Sequence, residues 1–129
     1  MRIVALLVAA GAACAQSSSP DRLFRDAVAA QQQGDNALAV RKYQELLKSY
    51  PDSVEVRANL GAALSDLGRY DEAIMQYQAV LAKKDSAGLR LNLALAYYKK
   101  GALREAVRQL DTLRAAQPDD TRVATLLAD

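Results

Sequence analysis

Hydrophobic residues recur along most of the chain at the spacing of an α-helix, which brings every third or fourth side chain to one face. One such segment precedes the glycine at position 68, and its apolar positions are Val56, Leu60, Leu64 and Leu67. A second precedes Gly101, with Leu89, Leu93 and Tyr97. Another amphipathic run follows each glycine. The pattern therefore predicts pairs of helices joined by tight turns, with a glycine in each turn.

The predicted helix pairs recur with a nearly fixed period. Gly34, Gly68 and Gly101 are separated by 34 and 33 residues. Two positions of the second helix keep the same spacing, and they hold Ala39, Ala73 and Ala106 and then Tyr43, Tyr77 and Leu110. A small residue is expected where paired helices approach closely, and a bulky one where successive pairs pack together. Three such pairs are enough to bury one another's apolar faces.

The ends of the predicted helices carry matching signals. Glycine adopts the positive φ that a short turn between antiparallel helices often needs. Asp35 directly follows a turn glycine and is a candidate N-cap, and Asp71 is a second candidate. Asp85-Ser86 stands where the other unit boundaries carry proline, and we expect it to cap the next helix. Because the spacing there is one residue shorter, we also expect a slightly tighter loop.

The chain resembles the tetratricopeptide repeat (TPR) family, whose period is about 34 residues. The matching segments are NLGAALSDLGRYDEAIMQYQAVL, NLALAYYKKGALREAVRQLDTL and, more loosely in its first helix, QQQGDNALAVRKYQELLKSYPD. The resemblance implies an all-α, right-handed superhelical solenoid of antiparallel helix pairs across residues 20–129. Its units would span about 20–53, 54–86 and 87–120. A terminal or truncated helix would follow, either covering the third unit with Val123, Ala124 and Leu127 or beginning a fourth unit of a longer protein.

The first residues have the features of an export signal. Arg2 supplies a positive n-region, and Ile3–Ala13 form an uncharged stretch that is too short to span a bilayer. Residues 1–15 are therefore predicted to be a signal peptide, and residues 16–19 a polar spacer before the repeats. The protein is then exported, and periplasmic or secreted. An uncleaved apolar N-terminus on a cytosolic protein is the remaining interpretation.

Two cleavage sites compete within this signal. Ala13-Cys14-Ala15 fits the A-x-A pattern, and cutting after it leaves Gln16 as the first residue. Cutting before Cys14 would instead leave a lipidated cysteine, the only route by which we expect the protein to meet a membrane. Gly11 stands where a lipoprotein signal usually begins with leucine, which favours the first cut.

Composition narrows the function further. The 129 residues include no His and a single Cys, so the usual proton shuttle and the commonest zinc ligand are missing. The sequence shows no nucleophile–base pair, no phosphate-binding glycine loop and no metal cluster. We therefore predict no catalytic residue, no metal site and no cofactor. The formal net charge of +2 is too small to indicate a nucleic-acid partner.

The resemblance also implies a binding surface, because the first helix of each TPR unit usually lines the concave face. Ten residues fall on or beside the free side of those helices: Phe24, Arg25, Val28, Asn59, Ala62, Leu91, Asn92, Leu95, Tyr98 and Lys99. In the family, an asparagine at the place of Asn59 and Asn92 often bonds to the backbone of a bound peptide. Solvated or capping asparagines are the alternative. Leu91, Leu95 and Tyr98 have an alternative too, which is to pack against the terminal helix.

The function favoured by these features is a non-catalytic scaffold in the cell envelope. Its groove would bind a peptide or helix of a protein partner. A module that assembles with itself or within a larger complex, through Leu126 and Leu127 at its C-terminal edge, is one alternative. The N-terminal TPR part of a longer protein with another activity is the other.

Overall fold

The computed structural model describes residues 19–119 together with Thr125 and Ala128. This part of the chain forms six α-helices and no strands. The helices are α1 (Pro20–Gln32), α2 (Asn36–Ser49), α3 (Val54–Asp66), α4 (Tyr70–Leu81), α5 (Ala87–Lys100) and α6 (Leu103–Ala116). Helices pack as the pairs α1–α2, α3–α4 and α5–α6, and neighbouring pairs join through α2–α3 and α4–α5. The fold is an all-α helical repeat solenoid, as the sequence predicts.

Several predictions concern residues outside this described part. They are the signal peptide at residues 1–15 with its Cys14, spacer residues 16–18, and the C-terminal hydrophobic residues Val123, Ala124, Leu126 and Leu127. Thr125 and Ala128 have helical backbone and are exposed. Across the described residues, every helix is too short or too polar to traverse a lipid bilayer.

The turn glycines have the left-handed backbone that the sequence predicts. Gly34, Gly68 and Gly101 have φ values of 83°, 76° and 89°. A Cβ built at any of the three would meet no atom within 4 Å. Backbone conformation, and not crowding, therefore requires glycine in these turns.

The predicted helix caps are confirmed at two positions and wrong at a third. The Oδ1 atom of Asp35 accepts a hydrogen bond from the backbone N–H of Leu38 at 3.1 Å, and Ser86 caps α5 through its Oγ. Asp71 is not a cap, because α4 begins one residue before it and Arg69 occupies the N-cap position. The carboxylate of Asp71 instead pairs with Lys100 at the end of α5.

The shorter spacing before Gly101 is absorbed by a helix, and the prediction of a tighter loop is wrong. Helix α4 has 12 residues, whereas α2 has 14. The connection after α4 spans residues 82–86 and is one residue longer than the connection 50–53 after α2. Asp85 and Ser86 favour caps and turns over helix interiors, and the connection ends at Ser86, the N-cap of α5.

The tyrosines of the second helices anchor the core. Tyr43 and Tyr77 are fully or almost fully buried, and the cluster around them runs from α1 into α5. The hydroxyl of Tyr43 donates to Oε1 of Gln31 at 3.0 Å, which satisfies its polar end. Leu110, at the same repeat position, lies in a smaller cluster with α5. The packed pairs thus hold α3 and α5 side by side.

Candidate functional site

Four of the ten predicted site residues line one cavity between α3, α4 and α5. Ala62 comes from α3, and Asn92, Leu95 and Lys99 come from α5. Its remaining lining residues are Ser65, Asp66, Tyr77 and Ala96. The cavity has a volume of about 150 Å³, and we call it the central cavity. The repeat register therefore brings together residues that are more than thirty positions apart in the chain.

The central cavity has an apolar floor. Tyr77 and Ala96 are almost completely buried, and the half-buried side chains of Ala62 and Leu95 continue the floor toward the opening. Alanine at positions 62 and 96 keeps the space open, because a larger side chain would occupy it. A ligand group that enters this open cavity would contact more apolar than polar surface.

The rim of the central cavity is polar and carries both charges. Asp66 and Lys99 are exposed, and neither forms an ion pair with another described residue. Asn92 is exposed beside them, with an amide that both donates and accepts hydrogen bonds. Charged and amide groups are therefore available to a ligand at the opening of an apolar space.

One residue that lines the central cavity, Ser65, has a buried hydroxyl oxygen. The Oγ atom of Ser65 is buried and makes no hydrogen bond with another described residue. It lies close to the hydroxyl of Tyr77, whose pKa is raised by burial; Ser65 opposes that increase and the carboxylate of Asp66 adds to it. Tyr77 is therefore neutral at neutral pH, and neither its hydroxyl nor that of Ser65 is an activated nucleophile.

Phe24 lies in a different cavity from Leu95, although the sequence predicts that they share one groove. This second cavity, about 340 Å³ in volume, lies where α1, the end of α2 and the start of α3 meet. We call it the N-terminal cavity, and its lining residues are Pro20, Asp21, Phe24, Leu46, Tyr50, Ser53, Glu55 and Val56. The structure thus places Phe24 and Leu95 in two different cavities.

Leu91 packs within the third unit. It packs against the cluster of Ala94, Leu110 and Leu113, on its own helix and α6. Leu110 is smaller than the tyrosines at the same position of the first two units, and the leucine at position 91 packs beside it. Leu91 is therefore part of the packing within the third unit and lines neither cavity.

The other predicted residues surround the two cavities without lining them. Arg25 and Tyr98 are exposed. Val28 is half-buried against the core. Asn59 is half-buried next to Tyr43, where its hydrogen bond opposes the raised pKa that burial and the Glu55 carboxylate give to that tyrosine. Asn59 therefore contacts the core as well as the surface.

The sequence prediction missed several lining residues. Asp66 could have been found, because it stands at the repeat position that Lys99 occupies in the next unit. Tyr50 and Ser53 belong to the connection between α2 and α3. The repeat pattern does not predict that residues of a connection line the same cavity as Phe24. Among the described residues, no group of three or more His, Cys, Asp or Glu could hold a metal ion.

Two family models, both described as tetratricopeptide repeat, match the chain over residues 24–88 and 67–129. The first match alone covers half of the chain. The chain therefore belongs to the TPR family. Its members are typically interaction modules. No curated protein sequence matches the chain significantly.

Solved TPR structures are similar to this chain. The structure of MamA from AMB-1 is 25% identical, with a TM-score of 0.70 over 74% of this chain and 57% of that one. YrrB, described as a TPR protein with an unusual peptide-binding site, is 22% identical, with a TM-score of 0.78 over 85% of this chain and 57% of that one. The present chain thus spans less than two thirds of the length of MamA and YrrB.

A third similar structure contains a bound peptide. It is the Yersinia enterocolitica type III secretion chaperone SycD in complex with a peptide of the translocator YopD. The sequences are 23% identical, and the TM-score is 0.76 over 84% of this chain and 88% of that one. At this identity the similarity to SycD, like that to YrrB, concerns the fold.

Proposed function

We propose that this protein is a non-catalytic scaffold that binds a segment of a protein partner over the central cavity. The observation that carries the proposal is the convergence of Ala62, Asn92, Leu95 and Lys99 on one space with an apolar floor and a polar rim. YrrB, a TPR protein with an unusual peptide-binding site, and SycD, which is in complex with a YopD peptide, support this choice through their common fold.

The size of the central cavity suits a single anchoring side chain. A protein cavity of about 150 Å³ is large enough to hold benzene, so this one accepts a side chain about the size of leucine or phenylalanine. Burying such a side chain contributes about 1.5–3 kcal/mol. The exposed amide of Asn92 can bond to the peptide group beside that anchor.

The site chemistry favours binding over catalysis. The titratable groups of the central cavity are Asp66, Tyr77 and Lys99, and burial raises the pKa of the tyrosine, which keeps it protonated. The sequence of residues 1–15 is the support for placing the scaffold in the cell envelope. Lipid attachment at Cys14 is the alternative to a free protein there.

Peptide selection with matched variants tests the binding site. Peptides from a random phage-displayed library would be selected on the wild-type protein and their affinities measured by fluorescence polarisation. Leu95→Asp and Asn92→Ala should each weaken the selected peptides at least about tenfold, a loss of about 1.4 kcal/mol. Met75→Asp is the control, because Met75 is exposed on α4 and lines neither cavity. Equal affinity for all variants would exclude the central cavity.

Self-association is a second candidate function, favoured by two apolar side chains of α6 that are exposed. Val40, Ile74 and Val107 occupy the same repeat position, yet they are 3%, 7% and 46% exposed. The first two are covered by the following helix pair, whereas Val107 and the neighbouring Leu103 remain exposed. An exposed apolar stripe of this kind is typical of an interaction surface.

The opposite face of the array is polar, which determines how two copies would pair. Arg22 and Asp26 on α1 are exposed at the repeat positions where α3 carries the buried Val56 and Leu60. Head-to-tail stacking would bury those charges without partners. The apolar α6 face would therefore pair with itself about a two-fold axis. Sedimentation at rising concentration should show a dimer that Val107→Asp abolishes, and a wild-type monomer throughout would exclude it.

A further inference from the structure

The N-terminal cavity differs from the central cavity in its chemistry. Two aromatic rings, those of Phe24 and Tyr50, and two carboxylates, those of Asp21 and Glu55, line it. No lysine or arginine is among its lining residues. With a volume of about 340 Å³ against about 150 Å³, it has room for a longer side chain than the central cavity has. The N-terminal cavity is therefore an acidic and aromatic space.

The aromatic wall is held in place by the core. The ring of Phe24 lies against that of Tyr43, with centroids 6.1 Å apart and planes tilted by 60°. Leu46 and Val56, both almost fully buried, provide the apolar floor. Tyr50, at the end of α2, is about half exposed and forms the outer part of the wall. The cavity thus combines a rigid apolar interior with an aromatic group at its opening.

The two carboxylates are free to bind a ligand. Asp21 and Glu55 lie in the first turns of α1 and α3 and are exposed. Neither side chain forms an ion pair with another described residue. The nearest basic residues of α1, Arg22 and Arg25, are exposed and do not line the cavity. No basic residue of the cavity lining therefore neutralises the carboxylates of Asp21 and Glu55.

We propose that the N-terminal cavity binds a cationic side chain, arginine or lysine, of the partner polypeptide. A cation is attracted to the face of an aromatic ring, and a carboxylate adds a charge-assisted hydrogen bond. The methylene groups of the long side chain would lie on Leu46 and Val56, as such stems do on apolar surfaces. This inference rests on the proposed function, because it specifies one feature of the partner that the scaffold binds.

The position of the two cavities along α3 also predicts the spacing of the partner's anchors. Glu55 lines the N-terminal cavity, and Ser65 lines the central cavity. Ten helical residues correspond to about 15 Å. An extended peptide covers that distance in about four or five residues. Because the cavities also lie on opposite sides of α3, a bound segment should carry its cation at least about four or five residues from its apolar anchor.

Small amides isolate the cation site from the rest of the peptide. N-acetyl-argininamide, N-acetyl-lysinamide and the neutral N-acetyl-citrullinamide would be titrated into the full chain, and backbone amide shifts followed by NMR. Both cations should shift the signals of Asp21, Phe24 and Glu55, and citrullinamide should bind at least about tenfold more weakly. Equal shifts with citrullinamide, or shifts confined to the central cavity, would overturn the proposal.

Substitutions that keep side-chain size provide the matched test. Asp21→Asn and Glu55→Gln should each weaken argininamide binding severalfold, whereas Glu105→Gln, at an exposed position of α6 that lines neither cavity, should leave it unchanged. Asp21 and Glu55 are exposed and outside the core, so both variants should fold. Unchanged binding in both would overturn the proposal.

The peptides selected on the wild-type protein separate this inference from the proposed function. If replacing their arginine or lysine by citrulline leaves affinity intact while Leu95→Asp still abolishes it, the cation site is wrong and the scaffold function stands. If argininamide binds at Asp21 and Glu55 but no peptide depends on Leu95, the cation site stands and the central cavity is wrong.

Discussion

Gly61 in α3 lies against the ring of Tyr77 in α4 so closely that even a methyl group does not fit between them. A Cβ at position 61 would be 2.6 Å from Cε1 of the tyrosine and 2.9 Å from Cδ1. Both residues are buried, and the ring extends beneath the central cavity. The other units hold alanine at this repeat position, as Ala27 and Ala94. The glycine therefore sets the position of the tyrosine that forms the cavity floor.

Gly61→Ala should destabilise the protein. The added methyl group forces the Tyr77 ring to move within a packed core, at a cost of about 1–3 kcal/mol, whereas the better helix propensity of alanine returns up to about 1 kcal/mol. The net loss should appear as a lower midpoint of urea unfolding with an unchanged slope.

The third unit supplies the matched control for this substitution, since it pairs Ala94 with Leu110. The double variant Gly61→Ala/Tyr77→Leu reproduces that pair, so it should be more stable than the sum of the two single changes predicts. Additive losses would show that the ring is not the source of the strain.

A better cap on α6 should stabilise the third unit. Ala102 is the N-cap of this helix and makes no side-chain cap bond, yet its φ and ψ of −82° and 68° match those of Asp35, −82° and 67°. Ala102→Ser would create a capping box with Glu105, three residues later. We expect a gain of about 0.5–2 kcal/mol in the free energy of unfolding.

Asp35→Ala is the control for the cap, and it should lose a similar amount because its Oδ1 bond to Leu38 disappears. Urea unfolding measures the change in the free energy of unfolding for both variants. A loss in Asp35→Ala without any gain in Ala102→Ser would show that α6 does not need the cap.

A repeated arginine–glutamine bond should couple the two helices of a unit. Arg57 donates from its guanidinium to Oε1 of Gln76 at 2.9 Å, and Arg90 donates to Oε1 of Gln109 at 3.0 Å. A double-mutant cycle with Arg57→Met and Gln76→Met should give a coupling energy of about 0.5–1.5 kcal/mol. A second cycle with Arg57→Met and Gln109→Met, which do not contact each other, should give a coupling energy close to zero. Similar coupling energies in the two cycles would show that the Arg57–Gln76 hydrogen bond does not couple the helices.

Stability should fall at alkaline pH because of the buried tyrosines. Burial is the main cause that raises the pKa of Tyr43 and Tyr77 above the usual 10.0. Folding then favours the neutral hydroxyl, so the stabilisation is fully present below pH 10 and is lost as the pH rises toward the folded-state pKa values. Urea unfolding between pH 8 and 11 measures this loss.

The double variant Tyr43→Phe/Tyr77→Phe tests the assignment of that pH dependence. It keeps the rings but has no hydroxyl to ionise, so its unfolding free energy should decline less steeply above pH 10 than that of the wild type. The same decline in both proteins would assign the effect to other groups.

The helix pairs could be predicted because their signals are local and repeated. The turns at Gly34, Gly68 and Gly101 have a positive φ, which glycine adopts without strain. Asp35 caps the helix that begins directly after it. Asp71 failed as a cap because the N-cap of α4 is Arg69, two residues earlier, and a shift of two residues is within the usual uncertainty of helix ends.

The candidate site was only partly predictable, since it depends on contacts between units. Repeat register identified Leu95 and Asn92 correctly as neighbours of Ala62. The same register placed Leu91 in a groove, whereas the volume left beside Leu110 draws it into the third unit. The repeat register also does not predict that Tyr50 and Phe24 line the same cavity.

By itself, the sequence determined that this protein is a TPR array of paired helices, because helical periodicity and turn glycines act over a few residues and recur in every unit. Only the tertiary structure decided which residues line each of two cavities, one apolar with a polar rim and one acidic and aromatic. Side chains from three helices set the shape of each space, and their volumes combine only when the units pack.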